Sequence, residues 1–188
     1  LSINPGHAES HLELGCLYYE QKNLKQTEEQ FISTINKDPL ILDAYQNLGN
    51  MYMDQERWDK AEAIYREALN LEPEHVPLLA SLGNLHYTRG QYTQSEDYFL
   101  NALSKDPGYL LAHKNLALVY EEIDQYEKAV QTYQTALKIA PTDSKKIKSP
   151  NMIRNIIKAV LSICLNRNLV ICFKISYCVL LIVFQLCF

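Results

Sequence analysis

Cysteine is almost missing from the first 141 residues. Cys16 stands alone there, while Cys164, Cys172, Cys178 and Cys187 crowd the far end. Spacings of eight, six and nine among those four match neither CxxC nor a zinc pattern, so no metal centre or disulfide framework is expected. Basic charge is scarce over the same stretch. Eleven lysines and arginines face 21 acidic residues before Pro141, whereas seven follow it with only Asp143 against them. An acidic body argues against nucleic acid as a partner, because binding phosphates needs clustered Lys and Arg. Catalytic signatures are wanting too, with no HExxH, no Gly-rich phosphate loop and no GxSxG. His11, His86 and His113 fall at packing registers, and His7 and His75 lie near turns without partner spacing. The expectation is a chain with no enzymatic activity and no cofactor.

What the sequence does have is a period. Pro5, Pro39, Pro73, Pro107 and Pro141 stand 34 residues apart without an insertion. Within the unit Leu42–Pro73, Tyr45, Leu48, Gly49 and Tyr52 line one side of a first helix. Trp58, Ala61, Tyr65, Ala68 and Leu69 line one side of a second. The run Met53–Arg57 between them reads as a short turn, and Pro73 closes the unit because proline cannot continue a helix. Leu14, Leu48, Leu82 and Leu116 are equivalent, as are Phe31, Tyr65, Phe99 and Tyr133. Small residues also keep their place: Gly15, Gly49, Gly83 and Ala117 in the first helix, then Thr27, Ala61, Ser95 and Ala129, and Thr34, Ala68, Ala102 and Ala136, in the second. Glycine inside a helix costs roughly 0.8–1.0 kcal/mol against alanine, so three at one register indicate a packing requirement for smallness.

Period and pattern resemble the tetratricopeptide repeat (TPR) family over residues 8–141, in units 8–41, 42–75, 76–109 and 110–141. His11, Leu79 and His113 depart from it where the family often has an aromatic, and Thr27 and Thr34 where it prefers alanine. The resemblance implies an all-α fold: an α-solenoid, a right-handed superhelix of antiparallel helix hairpins, followed by a non-repeat hydrophobic tail. Residues 1–7 look like the remnant of a preceding unit, and the chain begins at Leu1 rather than Met, so a piece of a longer protein is expected.

Such an array offers a concave face, because each hairpin buries its apolar side against its neighbours. Helix geometry puts one stripe of each first helix there: Glu9, Glu13, Cys16 and Glu20; Asp43, Asn47, Asn50 and Asp54; Pro77, Ser81, Asn84 and Thr88; Leu111, Asn115, Leu118 and Glu122. Candidates for gripping a peptide or helix are Glu13, Asp43, Asn47, Asn50, Asp54, Ser81, Asn84, Thr88, Asn115 and Glu122. Asparagine offers both donor and acceptor to a partner's backbone, and the carboxylates favour a basic segment. The TPR sub-type that grips a partner's C-terminal carboxylate uses basic residues in this groove, where only Lys114 faces. A second sub-type, the protein-glycosylating enzymes, carries an asparagine ladder. Asn47 and Asn115 suit such a ladder, and Glu13 and Ser81 interrupt it. The primary reading is a scaffold binding a protein or peptide; the alternatives are the substrate-binding arm of a larger enzyme and a membrane-tethered adaptor.

After Pro141 the repeat stops. Residues 142–150 read as a basic linker, and 151–166 as a capping helix with Ile153, Ile156, Ile157, Val160 and Leu161 on one face. Leu169–Phe188 is long and apolar enough to span a bilayer, with Arg154, Lys158 and Arg167 keeping the body cytoplasmic. Lys174 sits inside it, where charge is costly. Its β-branched and aromatic content equally permits a buried or aggregation-prone strand, and the abrupt change of composition also resembles translated intron or shifted-frame sequence. The body is expected in the cytoplasm, or at a membrane through this tail.

Overall fold

The computed structural model describes residues 5–139, with side chains from His7 onward. The linker, capping-helix and hydrophobic-tail readings lie outside the described residues. Among the described residues eight helices follow one another: α1 (Pro5–Glu20), α2 (Leu24–Lys37), α3 (Leu42–Asp54), α4 (Trp58–Leu71), α5 (Val76–Thr88), α6 (Tyr92–Lys105), α7 (Leu110–Glu122) and α8 (Tyr126–Ile139). They pack as sequential hairpins, α1 with α2, α3 with α4, α5 with α6 and α7 with α8. Two compact units result, Leu1–Lys105 and Asp106–Phe188. The first holds α1 to α6, and the second holds α7 and α8.

The turn inside each hairpin repeats in atomic detail. Lys22, Glu56, Gly90 and Asp124, spaced by the period, all have positive φ, from 57° to 72°. The next residue's N–H then reaches back to close the helix end. Asn23 donates to Tyr18 O, Arg57 to Tyr52 O, Gln91 to His86 O and Gln125 to Tyr120 O, at 2.8 to 2.9 Å. This is the Schellman closure, which satisfies carbonyls that a helix end would otherwise leave bare. The turn is therefore tighter than Met53–Arg57: α3 keeps Met53 and Asp54 within the helix.

The periodic prolines serve the turn between hairpins. Asp38 Oδ1 accepts from Leu40 N–H at 3.0 Å, and Asp106 Oδ1 accepts from Gly108 N–H at 2.8 Å. Proline between those partners presets φ for the turn and lacks an N–H to continue the helix. None of α2, α3, α4, α5 or α7 has a side-chain N-cap bond. Packing of apolar faces, rather than capping, holds these helices.

Within each hairpin a ring lies on a small residue sixteen positions earlier. A Cβ built on Gly15 would stand 2.6 Å from the Phe31 ring, on Gly49 2.2 Å from Tyr65, and on Gly83 2.7 Å from Phe99. Ala117 and Tyr133 pack together at the same register. Thr27, Thr34 and Ser95 are fully buried where other units have alanine. Their hydroxyls are satisfied: Thr27 donates to Asn23 O at 2.9 Å, Thr34 to Gln30 O at 3.0 Å and Ser95 to Gly83 O at 2.7 Å. Such bonding removes most of the penalty for a buried hydroxyl.

Hairpins of the first unit join through apolar faces and edge pairs. Leu48 and Met51 are 1% and 0% exposed where α2 packs on α3, whereas their equivalents on α1, Leu14 and Leu17, are 37% and 53% exposed. At the first junction the Tyr52 hydroxyl donates to Glu28 Oε1 at 2.5 Å and Arg57 lies 3.8 Å from Glu28 Oε2. At the next, Arg89 pairs with Glu62 at 2.9 Å and Asp59 at 3.4 Å. These pairs are partly exposed and contribute little beside the apolar burial.

Candidate functional site

The first helices of the first unit supply one polar face. Helix α3 touches both α1 and α5, and side chains bridge each step. Asn47 Nδ2 lies 3.6 Å from Cys16 Sγ, the Tyr19 hydroxyl donates to Asp54 Oδ2, and Gln46 Nε2 donates to Ser81 Oγ at 3.1 Å. Two of these bridges span 35 residues, one period plus one position, so each first helix hands a donor to the next.

Asn50, Asp54, Asn84 and Thr88 converge with Tyr19, Met53 and Trp58 around one open depression of about 490 Å³. Asn50, Asp54, Asn84 and Thr88 are exposed, and the two aromatic residues are half-buried. Three hydroxyls at or beside this depression already direct their protons inward: Tyr19 to Asp54, Thr88 to Asn84 O at 2.9 Å, and Tyr65 to Asn50 Oδ1 at 2.7 Å. Burial first, then the hydrogen bond to Asp54 and its charge, push the Tyr19 phenol up to about 12. Burial is also the main cause raising Tyr65, with the charge of Asp54 second.

The other stripe residues divide by place. Glu13 and Asp43 are exposed near Cys16, whose thiol is raised by burial first and then by the charges of Glu20, Asp43 and Glu13. Asn47 and Ser81 are half-buried and bonded within the face, as above. Asn115 is half-buried and Glu122 exposed on α7 of the second unit, outside this depression. Sequence reasoning did not include Tyr19, Met53 or Trp58 in the site. Tyr19 and Met53 share a register beside the stripe, one period apart, and helical periodicity assigns Trp58 to packing alone. Three of the histidines make structural bonds: His11 Nδ1 with Gln30 Oε1 at 2.6 Å, His86 Nδ1 with Gln91 Oε1 at 2.7 Å, and His113 Nε2 with Pro107 O at 2.9 Å.

A family model described as the cilia and flagella-associated protein 70 middle TPR-like domain matches residues 35–166. The chain belongs to this family. The match runs beyond the described helices through the stretch read as linker and capping helix, and it stops before Leu169. No curated protein matches the chain. Among solved structures, PilF of Pseudomonas aeruginosa is similar with a TM-score of 0.72 at 19% identity, over 84% of this chain and 70% of that one. MamA is similar with a TM-score of 0.63 at 21% identity, over 76% of this chain and 83% of that one. The first TPR of Spaghetti (RPAP3), bound to the HSP90 peptide SRMEEVD, gives 0.58 at 15% identity, over 65% and 93%. At such identities the likeness is one of fold. The helical hairpins are thus those of a TPR-like repeat domain.

Proposed function

We propose that this TPR-like domain is a non-catalytic scaffold that holds a peptide or helix of another protein along the face made by α1, α3 and α5. The observation that carries this reading is the convergence of Asn50, Asp54, Asn84 and Thr88, one stripe from two helices, on a single depression. Among the described residues neither the Asn84 side-chain amide nor Asn50 Nδ2 has a hydrogen-bond partner, while Asn50 Oδ1 accepts from Tyr65. Both amides can pair with a ligand's backbone. The stripe recurs in the second unit at Asn115 and Glu122.

The charge of the face selects among peptides. Glu13, Asp43 and Asp54 are acidic and exposed, and like charges across an interface cost binding. A peptide ending in carboxylates, such as the one held by the RPAP3 repeat, is therefore a poor ligand here, and one bearing basic residues a good one.

Selection of a displayed random-peptide library against the full chain tests the reading. Binders are expected, and Asn84→Ala, alone or with Asn50→Ala, should weaken them about tenfold, near 1.4 kcal/mol. Asn70→Ala, on the second helix of its hairpin, should leave them unchanged. Peptides indifferent to both inner-face changes would remove the proposal.

A further inference from the structure

We infer that the depression between Tyr19, Asp54 and Trp58 is a seat for one basic side chain, lysine or arginine, of the bound peptide. This rests on the peptide-binding reading above and specifies the residue that anchors it. The argument begins with hydrogens. Because Tyr19 donates to Asp54 and Thr88 donates to a backbone carbonyl, both hydroxyl oxygens present lone pairs rather than protons to the depression. Asp54 retains Oδ1, since only Oδ2 accepts from Tyr19. Asn84 contributes an amide oxygen. Among the described residues, the lining contains no lysine or arginine.

A site whose hydroxyls are all acceptors suits a ligand that brings donors. An ammonium offers three and a guanidinium five, with no acceptor of its own. The half-buried rings of Tyr19 and Trp58 add faces that attract a cation, and Met53 adds a soft apolar wall for the aliphatic stem. A volume of about 490 Å³ exceeds what one such side chain needs, leaving room for the flanking backbone beside Asn50 and Asn84. Acidic and neutral polar side chains lack this match. The first meets Asp54 with like charge, and the second brings fewer donors and no charge.

The test uses the full 188-residue chain and the displayed library of random heptapeptides. Selection on the wild type is expected to enrich Lys or Arg at one fixed peptide position, and selection on Asp54→Asn to lose that preference. A synthetic peptide from the enriched set should shift the fluorescence of Trp58, the one tryptophan of the chain. Its counterpart with glutamine at the basic position should bind at least about tenfold more weakly. Asp54 is exposed, so the melting temperature of the Asp54→Asn chain should match the wild type. Peptides that depend on Asn84 but carry no basic position, or that bind Asp54→Asn equally well, overturn this inference and leave the inner-face reading standing. Peptides that ignore Asn50 and Asn84 remove both.

Discussion

The Tyr65 ring occupies the space a side chain on Gly49 would need: a Cβ there would lie 2.2 Å from Cε1 and 2.6 Å from Cζ. Alanine at this helical position would gain roughly 0.8–1.0 kcal/mol in propensity. Overpacking a rigid, buried ring costs about 1–3 kcal/mol and outweighs that gain. Gly49→Ala should therefore lower the urea midpoint, and lower it less in a Tyr65→Leu background, where the cycle isolates the contact. Equal losses in both backgrounds would show that the ring is not the cause.

Leu17 and Met51 are apolar residues one period apart, one 53% exposed and the other fully buried. Leu17→Glu on the open face of α1 should change stability by no more than about 0.5 kcal/mol. Met51→Glu, buried under α2, should cost more than about 3 kcal/mol or prevent folding. Thermal melts of the two variants decide; equal effects would mean that α1 is covered in solution.

Three of the four left-handed turn residues are not glycine, and each bears strain that Gly90 avoids. Glu56→Gly and Asp124→Gly should each stabilise by about 0.5–1 kcal/mol after the entropy of the unfolded chain is subtracted. Gly90→Ala should destabilise by about 1 kcal/mol, although nothing lies within 4 Å of its would-be Cβ. Chemical denaturation of the three variants gives the signs directly.

Tyr52 provides a pH test. Burial first, then the hydrogen bond to Glu28 and the charge of Glu28, raise its phenol to about 12 against 10.0 in the unfolded chain, with Arg57 opposing. A raised folded value means the folded chain holds the proton longer. The stabilisation is present in full below pH 10 and is lost as pH rises toward 12. Tyr52→Phe should flatten the fall of unfolding free energy across that window; an unchanged slope would assign it to other tyrosines.

Much of this was legible in the chain because the repeat is free of insertions. Proline spacing and the recurrence of Leu48, Gly49 and Tyr65 equivalents are enough to place eight helices in four hairpins. The ring-on-glycine contact is also in the sequence, as a pairing of two registers sixteen residues apart. The site is less legible. Asn50 reads as an open amide, yet its oxygen is held by Tyr65; Asn47 and Ser81 bond within the face, and Trp58 lines the depression instead of being wholly packed. Helical periodicity tells which side of a helix a residue occupies. It does not tell which neighbour one period away its polar atoms will meet, since that depends on how far one hairpin slides along the next.

The invariant Schellman turn has a consequence for how a ligand would be measured out. Its closing bond recurs at the same place in every turn, so the hairpins of the first unit all turn with the same number of residues. Packed helix axes stand about 8–10 Å apart. A strand laid across them rises about 3.3 Å per residue and meets a new helix every third residue. For the peptide proposed above, the ruler would be marked in threes, and a guest sequence would be recognised by its cadence as much as by its side chains.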